Sequence, residues 1–404
     1  MTAKNILVFT SIYPIKGTES GHTPIVKYFC EDWVRQGHNV YVVSSTSKFP
    51  LLYYLIPNFL KKFLESKIGF NLPNVFSRKK ILNTENGVRV LQLPIFKIYP
   101  GQHISEKAFK RNIKEIESSF ILNFKPDLCI GHWTDPQILY LSYFKRKYKS
   151  NTTLTLHNVP NDKEIYLLKK YLDDIDSFGF RSEKLIKPTL QLINLNRSRC
   201  FLCYSGVKDY FNLEKNLINN KFLNQNKIDI CFIGNLIERK FPDIILKALN
   251  EIDNIEFEVH FIGEGYMLNF LKNYKTKQNI NVQFHGKLER SKVYEILSKC
   301  ELLVMLSKNE TFGLVYLEAM LNRTIPIASF NEGFDGIIKD GYNGFLGNSG
   351  SVDDLVKIIN KYMKLSSKEK VKLQDNAFIT AINMTDDKMA LQYLNNITNA
   401  NNKK

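Results

Sequence analysis

Short apolar runs rich in β-branched residues alternate along this chain with amphipathic runs of helical period. Apolar runs of this length between turn residues predict strands. In the first half, strands are predicted at "NILVFTS", "NVYVVSS", "VRVLQLP", "DLCIGH", "TLTLH" and "FLCYS". In the second half they are predicted at "IDICFIG", "FEVHFIG", "NVQFHG", "ELLVML" and "TIPIAS". Strands that alternate with helices are typical of parallel sheets, so the pattern predicts an α/β fold.

The predicted helices include "TPIVKYFCEDWVRQG" in the first half and "FPDIILKALNEI", "SKVYEILSKC" and "VDDLVKIINKYM" in the second. The strand–helix pattern is interrupted once by a polar stretch rich in Asn and Lys, at 212–227. We therefore predict two Rossmann-like domains, at 1–215 and 216–380. A terminal helix within 381–404 has no strand to follow it and is free to pack back on the first domain.

The segment at about 46–85 breaks the alternation because it is aromatic, apolar and basic at once. Pro57 divides it, so one long helix is not expected. The stretch "NFLKKFLESKIGF" places four apolar residues on one helical face and lysines on another, which is typical of an interfacial membrane helix. These apolar residues are Phe59, Leu60, Phe63 and Leu64. A packed insertion that shields the sheet would have the same composition, and both interpretations stay open.

Composition fits a soluble globular protein, since 44% of the 404 residues are hydrophobic and 24% are charged. The net charge of +16 is unevenly distributed. Lys and Arg minus Asp and Glu gives 30 − 16 = +14 for residues 1–200, and 26 − 24 = +2 for the rest. A basic half suggests an anionic partner, such as nucleic acid, anionic lipid or a phosphorylated substrate. A codon bias toward Lys and Asn is the alternative explanation.

Cysteine usage and the chain start both favour a cytoplasmic protein. The six cysteines lie mostly in apolar runs, as in reduced cytosolic proteins. The pair in "CFLC" has metal-site spacing, but it lies in a predicted strand and no second pair accompanies it. The opening "MTAKNILVFTS" is predicted to be a first strand and not a signal peptide. No window approaches the ~20 apolar residues that would span a bilayer.

The stretch "KNETFGLVYLEAM" carries the most specific candidate chemistry. It follows the predicted strand "ELLVML", and ligands of open parallel sheets bind at the carboxyl ends of strands. We expect a helix from about Thr311, with Asn309 or Thr311 as its cap. The first free N–H groups then belong to residues 312–315, Phe312, Gly313, Leu314 and Val315. These donors and the helix dipole favour an anion such as phosphate, and Gly313 allows close approach.

Two carboxylates, Glu310 and Glu318, flank this predicted anion site. Carboxylates repel phosphate, so they are better suited to accepting hydrogen bonds from hydroxyl groups. A sugar and a ribose at the two ends of a diphosphate would supply those hydroxyls. In "FIGNLIERKFPD", Gly234 ends another predicted strand, and Arg239 and Lys240 are placed to neutralise a diphosphate.

Two more glycine-containing turns follow predicted strands and precede predicted helices. The turn "FIGEGYML" is weak evidence alone. The first-half loop "TSIYPIKGTESGHTP" contains Gly17 and Gly21.

The order and spacing of these motifs resemble glycosyltransferase family 4, which comprises retaining sugar-nucleotide transferases of the GT-B fold, two Rossmann-like domains facing a cleft. The resemblance covers about 4–44 and 86–395 and is densest in 228–346. Its most specific element is E-x7-E, "ETFGLVYLE". Supporting motifs are "FIGNLIERK", "HFIGEG", "VQFHGKL", "ELLVMLS" and "DGYNGFL".

The resemblance implies roles for residues at matching positions. Glu310 would bind hydroxyls of the donor sugar, Glu318 the ribose, and Lys240 the diphosphate. Backbone amides around Gly313 to Val315 would hold the distal phosphate. Gly286 and Lys287 fall where the base is cradled. The loop from Gly17 to Gly21 would face the donor, and His132 in "DLCIGHWTDP" would approach the sugar near the reacting carbon.

Two positions depart from the family pattern. Asn235 follows Gly234 where an Arg is common, and Arg239 would compensate. Gly336 stands where a Glu is typical, in "EGFDG", although Gly333 is kept. His157 ends another strand and is interpreted as structural or acceptor-side. Asp173 to Asp176 contain D-x-D, but the segment is predicted to be a helical or loop surface, so no metal site is expected.

The resemblance implies a metal-independent, hexosyltransferase-type enzyme without a cofactor. It would move a sugar from a nucleotide-sugar to a saccharide acceptor. Composition together with resemblance favours a lipid-linked acceptor in bacterial surface-polysaccharide synthesis, such as lipopolysaccharide or capsule. The protein would then be cytoplasmic and peripheral on an anionic membrane face. Alternatives are a nucleotide-sugar epimerase of the same fold and a non-catalytic nucleotide-sugar-binding protein. Nucleic acid is not an expected partner, because no recognition motif accompanies the charge.

Overall fold

The computed structural model describes residues 2–14, 24–57, 60–61, 81–98, 102–121, 124–208 and 226–401. The chain forms two compact units. The first unit comprises Met1–Phe180, Pro188–Cys203 and Ala390–Lys404. The second comprises Arg181–Lys187 and Tyr204–Met389. The polar stretch at which a domain boundary was predicted lies almost entirely outside the described residues.

The first unit is built on a sheet in which the described residues contribute eight strands. These are β1 (Asn5–Thr10), β2 (Asn39–Lys48), β3 (Ile81–Glu85), β4 (Val88–Phe96), β5 (Leu128–His132), β6 (Asn151–Leu156), β7 (Ser177–Phe180) and β8 (Cys200–Leu202). Their order is β3-β4-β2-β1-β5-β6-β7-β8, and only the β3–β4 pair is antiparallel. The two strands that start the fold thus lie at its centre, and β1 is buried along almost its whole length.

Helices of this half connect the parallel strands. They are α1 (Ile25–Arg35), α2 (Leu51–Tyr54), α3 (Glu106–Ser118), α4 (Gln137–Tyr148), α5 (Asp162–Lys170) and α6 (Ile186–Ile193). In α1 the apolar positions Val26, Phe29 and Trp33 recur three or four residues apart and are buried. This spacing gives one apolar stripe that faces the core.

The second unit is built on a fully parallel sheet. Its strands are β9 (Lys227–Ile233), β10 (Glu256–Ile262), β11 (Ile280–Gly286), β12 (Leu302–Met305), β13 (Ile325–Ser329) and β14 (Phe345–Gly347), in the order β11-β10-β9-β12-β13-β14. Its helices are α7 (Asp243–Leu249), α8 (Leu268–Lys272), α9 (Arg290–Leu297), α10 (Leu314–Leu321), α11 (Val352–Met363) and α12 (Ser367–Ile382). The α/β fold with two Rossmann-like parallel sheets is confirmed.

The final helix, α13 (Asp386–Asn401), runs from the second unit into the first. Its portion from Ala390 onward contacts α1. The indole N–H of Trp33 donates to the Ala390 carbonyl at 2.9 Å, and the rings of Trp33 and Tyr393 lie 5.5 Å apart. The Tyr393 hydroxyl is also hydrogen-bonded to Thr155 in β6. These contacts make the end of the chain part of the first unit's core.

All eleven predicted strands are present, and the described residues form three further strands that were not predicted. The missed strands are β3, β7 and β14. β7 and β14 span only four and three residues and contain glycine, so they lack the long apolar run that signals a strand. In β7, a side chain at Gly179 would collide with Thr155 and Phe201 of the neighbouring strands.

The interpretation of Asp173 to Asp176 as a helical or loop surface is wrong at its end. Asp176 is buried and leads directly into β7. Its carboxylate accepts from Lys145 Nζ at 2.7 Å and from the Thr152 N–H at 2.8 Å. Asp174 pairs with Arg146. Asp176 therefore links the start of β7 to β6 and α4, and Asp174 adds a second contact with α4.

The predicted insertion at 46–85 is described only in part. β2 extends to Lys48, α2 follows, and β3 adds an antiparallel edge strand. Residues 60–61 are helical, but the rest of the predicted amphipathic helix lies outside the described residues. Within the part of the chain that is described, no helix is long and apolar enough to cross a membrane.

Two histidines face each other on neighbouring strands of the second unit. His260 Nδ1 of β10 lies 3.0 Å from His285 Nε2 of β11. Burial lowers the pKa of His260, and the nearby His285 lowers it further. Burial also lowers the pKa of His285. The folded unit therefore binds protons less readily at this pair than the unfolded chain does.

This pair predicts that stability decreases in acid. Because both folded-state pKa values lie below the unfolded value near 6.5, the pair's contribution is complete above that pH. It declines as the pH falls toward the lowered pKa values. The double substitution His260→Gln and His285→Gln should flatten the dependence of melting temperature on pH between about 7 and 5. An unchanged dependence would contradict the prediction. His103→Gln serves as the control for loss of an exposed histidine.

Candidate active site

Three glycine-containing turns meet at the carboxyl ends of β9, β10 and β11. The Gly234 N–H donates to the Ile262 carbonyl at 2.9 Å, and the Gly263 N–H donates to the Gly286 carbonyl at 2.8 Å. A side chain at Gly263 would collide with the Gly234 backbone. Backbone hydrogen bonds thus join the three turns, and their close approach requires glycine. Gly286 has a φ of 64° and ends β11 beside exposed Lys287.

The turn after β9 presents two cations in different environments. A 3₁₀ turn, Glu238–Lys240, follows Gly234 and Leu236. Lys240 is buried and its ammonium forms an ion pair with Glu310. Arg239 is exposed, and its backbone carbonyl accepts from the Lys308 N–H at 2.8 Å. Among the described residues, the Arg239 side chain has no ion-pair partner and is available to an anionic ligand.

The loop that carries Glu310 is fixed from both sides. The Glu310 N–H donates to Glu332 Oε2 at 2.7 Å, and the Gly333 N–H donates to the Glu310 carbonyl at 2.9 Å. The same Glu332 oxygen pairs with Lys184 Nζ at 2.5 Å. A side chain at Gly333 would collide with the backbone at Thr311. The loop therefore has little freedom to move away from the turn that follows β13.

The helix after this loop begins at Leu314, so the predicted start near Thr311 is wrong. Neither Asn309 nor Thr311 caps it, and the N-cap residue is Gly313 with φ 85° and ψ 66°. The reason is that Glu332 already binds the loop backbone and Phe312 is drawn into the core. The first N–H groups of a helix have no carbonyl one turn earlier. Here these groups belong to Leu314 and Val315, at the end with positive helix dipole.

Phe312 anchors the loop through its side chain. Its ring is buried and lies 5.5 Å from that of Phe334 and 5.7 Å from that of Tyr204. The guanidinium of Arg181 lies 5.3 Å from the same ring and is hydrogen-bonded to Ser205. Phe312 was expected at the donor site. Its position leaves only its backbone for a ligand.

Glu318 occupies the middle of α10 and is 6% exposed. Burial raises the pKa of this carboxyl group, and the Arg290 guanidinium paired with it acts in the opposite direction. Arg290 begins α9, just beyond β11, and its side chain is 40% exposed. Because α10 rises about 1.5 Å per residue, Glu318 lies roughly 6 Å along the axis from Leu314. The site thus has a carboxylate on each side of a helix start that attracts anions.

His132 lies in the first unit, at the end of β5, and is fully buried. Its Nδ1 is 3.2 Å from His157 Nε2, and its ring stacks at 6.5 Å on Phe29. His157 in turn stacks on Trp133 at 3.9 Å. Its predicted role near the reacting carbon stays a prediction. The predicted loop residues Gly17 and Gly21 lie outside the described residues.

The structure therefore brings most second-unit candidates together at one edge of one sheet. Sequence reasoning missed three partners, Glu332, Lys184 and Arg290. Glu332 directly precedes the motif glycine Gly333, and this position in the sequence could have marked it as a candidate site residue. Lys184 is 148 residues from Glu332, and nothing in its own surroundings signals the contact.

The sequence of the second unit is similar to that of a known family. Residues 214–379 match the model of the family described as glycosyl transferases group 1. An uncharacterized glycosyltransferase of Methanocaldococcus jannaschii is 27% identical over 301 residues, which cover 72% of this chain and 78% of that protein. An uncharacterized 41.2 kDa protein in the cps region of Klebsiella pneumoniae is 27% identical over 144 residues, 36% of this chain and 39% of that protein.

The fold resembles a solved structure along almost its whole length. Anabaena Alr3699/HepE in complex with UDP superposes with a TM-score of 0.65 at 15% identity, covering 98% of this chain and 99% of that one. At this identity the likeness concerns the fold, which is GT-B. The family match itself lies wholly within the second unit, which is therefore the part of the chain that resembles glycosyl transferases group 1.

The Lys184–Glu332 pair predicts a measurable coupling. Lys184→Met leaves the Glu332 carboxylate without its ammonium partner, and the two side chains are only 26% and 11% exposed. We expect a loss of about 1–2 kcal/mol of unfolding free energy. Glu332→Gln keeps an acceptor for the Glu310 N–H but removes the charge, so the double variant should lose less than the sum of the two.

Urea unfolding followed by a double-mutant cycle measures this coupling. Lys187→Met is the matched control, since it removes an exposed lysine from the same segment. Additive effects of Lys184→Met and Glu332→Gln would show that the pair contributes nothing.

Proposed function

We propose that this protein is a retaining glycosyltransferase of family 4 that uses a nucleotide-diphosphate sugar as donor. The observation that carries the proposal is the Lys240–Glu310 ion pair beside the start of α10, with Glu318 further along the same helix. The groups follow one another as the donor would require: Glu310 for the sugar, Lys240 and the amides at the start of α10 for the diphosphate, and Glu318 for the ribose.

The diphosphate would bind between the start of α10 and the turn after β9. The amides at Leu314 and Val315 donate to phosphate oxygens, and Lys240 and Arg239 add positive charge. The helix start is fixed before the ligand arrives, and Lys240 is held close to it by its ion pair with Glu310. Preorganised donors of this kind stabilise charge as it develops on a leaving group. No divalent metal is required in this arrangement.

The carboxylates would accept hydrogen bonds from hydroxyl groups, Glu310 from the donor sugar and Glu318 from the ribose. Both are low in exposure, and a buried acceptor selects strongly for a ligand that supplies the donor. Gly286 and Lys287 would cradle the base, because the positive φ of Gly286 leaves the backbone open there.

In the reaction, the bond between the anomeric carbon and the diphosphate oxygen breaks, and the acceptor oxygen bonds to the carbon on the same face. The proton of the acceptor hydroxyl passes to the departing phosphate oxygen, so no protein nucleophile is needed. The electron pair of the broken bond stays on the diphosphate, whose charge Lys240 and the helix amides stabilise.

The acceptor is proposed to be a lipid-linked saccharide in bacterial surface-polysaccharide synthesis. Two observations support it: the +14 charge of residues 1–200, and the similarity to a protein in a cps region. The protein would then work on the cytoplasmic side of a membrane.

A panel of nucleotide-sugars tests donor binding. A ligand that binds the native state raises its melting temperature, with about 2.7 kcal/mol of stabilisation at 100 times its Kd. We expect one nucleoside diphosphate class to shift the midpoint in buffer containing EDTA. A shift that requires added Mg²⁺ would contradict the metal-independent arrangement, and no shift with any donor would contradict the proposal. Epimerised donor without acceptor would favour an epimerase, and binding without turnover would favour a binding protein.

Glu310→Gln tests the donor-sugar contact once a donor is identified. The amide keeps the size of the side chain but cannot pair with Lys240, so we expect transfer to fall by about 10²-fold or more. Steady-state transfer and the melting temperature are measured together. Glu251→Gln is the control, because Glu251 is an exposed carboxylate of the same unit after α7. Near-normal transfer by Glu310→Gln would refute the role of Glu310.

A further inference from the structure

One surface of the first unit exposes large apolar side chains around the carboxyl ends of β2 and β4. Leu52 and Leu55 are each 75% exposed, and Phe96, the last residue of β4, is 50% exposed. The other exposed apolar residues of this region are Leu51, Leu60 and Ile98. Single exposed leucines are ordinary, but a group of them marks an interaction surface.

A basic helix face lies beside this apolar group. In α3, four cations recur with the spacing i, i+3, i+4 and i+7, and all four are exposed: Lys107, Lys110, Arg111 and Lys114. The opposite face of the helix is buried through Asn112, Ile113 and Ile116. The cations therefore form one stripe along a helix that is anchored by its other side.

Phe96 of the apolar group and Arg111 of the basic stripe line the same cavity. A hollow of about 520 Å³ is lined by Lys48, Phe96, Arg111 and Glu115, among others. Arg111 also lines a neighbouring hollow of about 650 Å³ with the three lysines of the stripe and Glu106. Glu106 is paired with Lys110 at 2.6 Å. Five cations thus face two carboxylates, a local charge of 5 − 2 = +3.

We propose that this surface, defined by the exposed leucines of 51–60, Phe96, Lys48 and the α3 stripe, docks on an anionic lipid bilayer. The inference rests on the proposed function and deepens it, because it names the partner of the first unit. The phosphate of a lipid headgroup would occupy the cavity between Lys48 and Arg111. The leucines and Phe96 would enter the boundary between headgroups and acyl chains.

The combination of side chains selects a bilayer over other polyanions. Nucleic acid would use the cations and Phe96, but it would leave the exposed leucines in water. A bilayer uses both halves of the surface, since cations are attracted to anionic headgroups and apolar side chains leave water together. Burial also lowers the pKa of Lys48, and an anion in the cavity would favour its charged form.

Vesicle co-sedimentation of the full chain tests the proposal. Vesicles of phosphatidylglycerol and phosphatidylcholine should bind the protein at about 0.1 M salt, and vesicles of phosphatidylcholine alone should not. Arg111→Gln with Lys114→Gln should weaken binding about 30-fold, from roughly fivefold per cation. Leu52→Ser with Leu55→Ser should also weaken it, and more so at high salt, where the apolar contribution dominates.

The control is Lys163→Gln with Lys169→Gln, which removes the same charge from exposed positions of α5. Equal weakening by this control would overturn the proposal, because only net charge would then matter. A second result would also overturn the proposal: the leucine variants bind vesicles as the unmodified chain does, and inorganic phosphate displaces the vesicles. The cavity would then be only an anion site. Retention by duplex DNA but not by vesicles would have the same consequence.

Nucleotide-sugar binding separates this inference from the proposed function. The vesicle-binding variants change only the first unit, so each should keep the melting-temperature shift that a donor produces. Vesicle binding without any donor shift would refute the proposed function and leave the docking surface supported. A donor shift without vesicle binding would refute the docking surface alone.

Discussion

Charge compensation at poorly exposed carboxylates is the constraint on which the candidate site depends. Glu310, Glu318 and Glu332 lie near the carboxyl edge of one parallel sheet, and their side chains are between 8% and 14% exposed. An ionised group in such a place needs a cation or several hydrogen bonds. The fold supplies Lys240, Arg290 and Lys184 in turn. A parallel sheet brings the carboxyl ends of all its strands to a single edge.

This compensation also shapes the backbone. Since Glu332 accepts from the Glu310 N–H, the loop needs no side-chain cap, and α10 starts later than its sequence suggests. The buried ring of Phe312 draws the loop inward, and Gly313 takes the positive φ that this path requires. The amides of Leu314 and Val315 are left at the helix start. A single carboxylate, Glu332, thus couples its ion pair with Lys184 to the position at which α10 begins.

Sequence reasoning reached the fold and the motif residues, because both depend on local signals. Apolar runs and glycine turns placed eleven strands, and E-x7-E placed the two carboxylates on one loop and helix. It could not predict the ion pairs Lys184–Glu332 and Arg290–Glu318, because their members lie 148 and 28 residues apart in the sequence. The helix start was wrong for the same reason: a tertiary hydrogen bond replaced the local cap. β7 was not predicted, because the aspartates that precede it resemble a surface segment. In the structure, Asp176 is buried against Lys145 and Thr152.

The pairing of Lys240 with Glu310 has a consequence for how the proposed donor would be recognised. A sugar hydroxyl alone is a weaker partner for Glu310 than the ammonium group already there. A phosphate alone would draw Lys240 away and leave a poorly exposed carboxylate uncompensated. An intact nucleotide-sugar supplies both replacements at once, a phosphate for the lysine and a hydroxyl for the glutamate. The ion pair would therefore make recognition of sugar and diphosphate mutually dependent, which favours the whole donor over its hydrolysed parts.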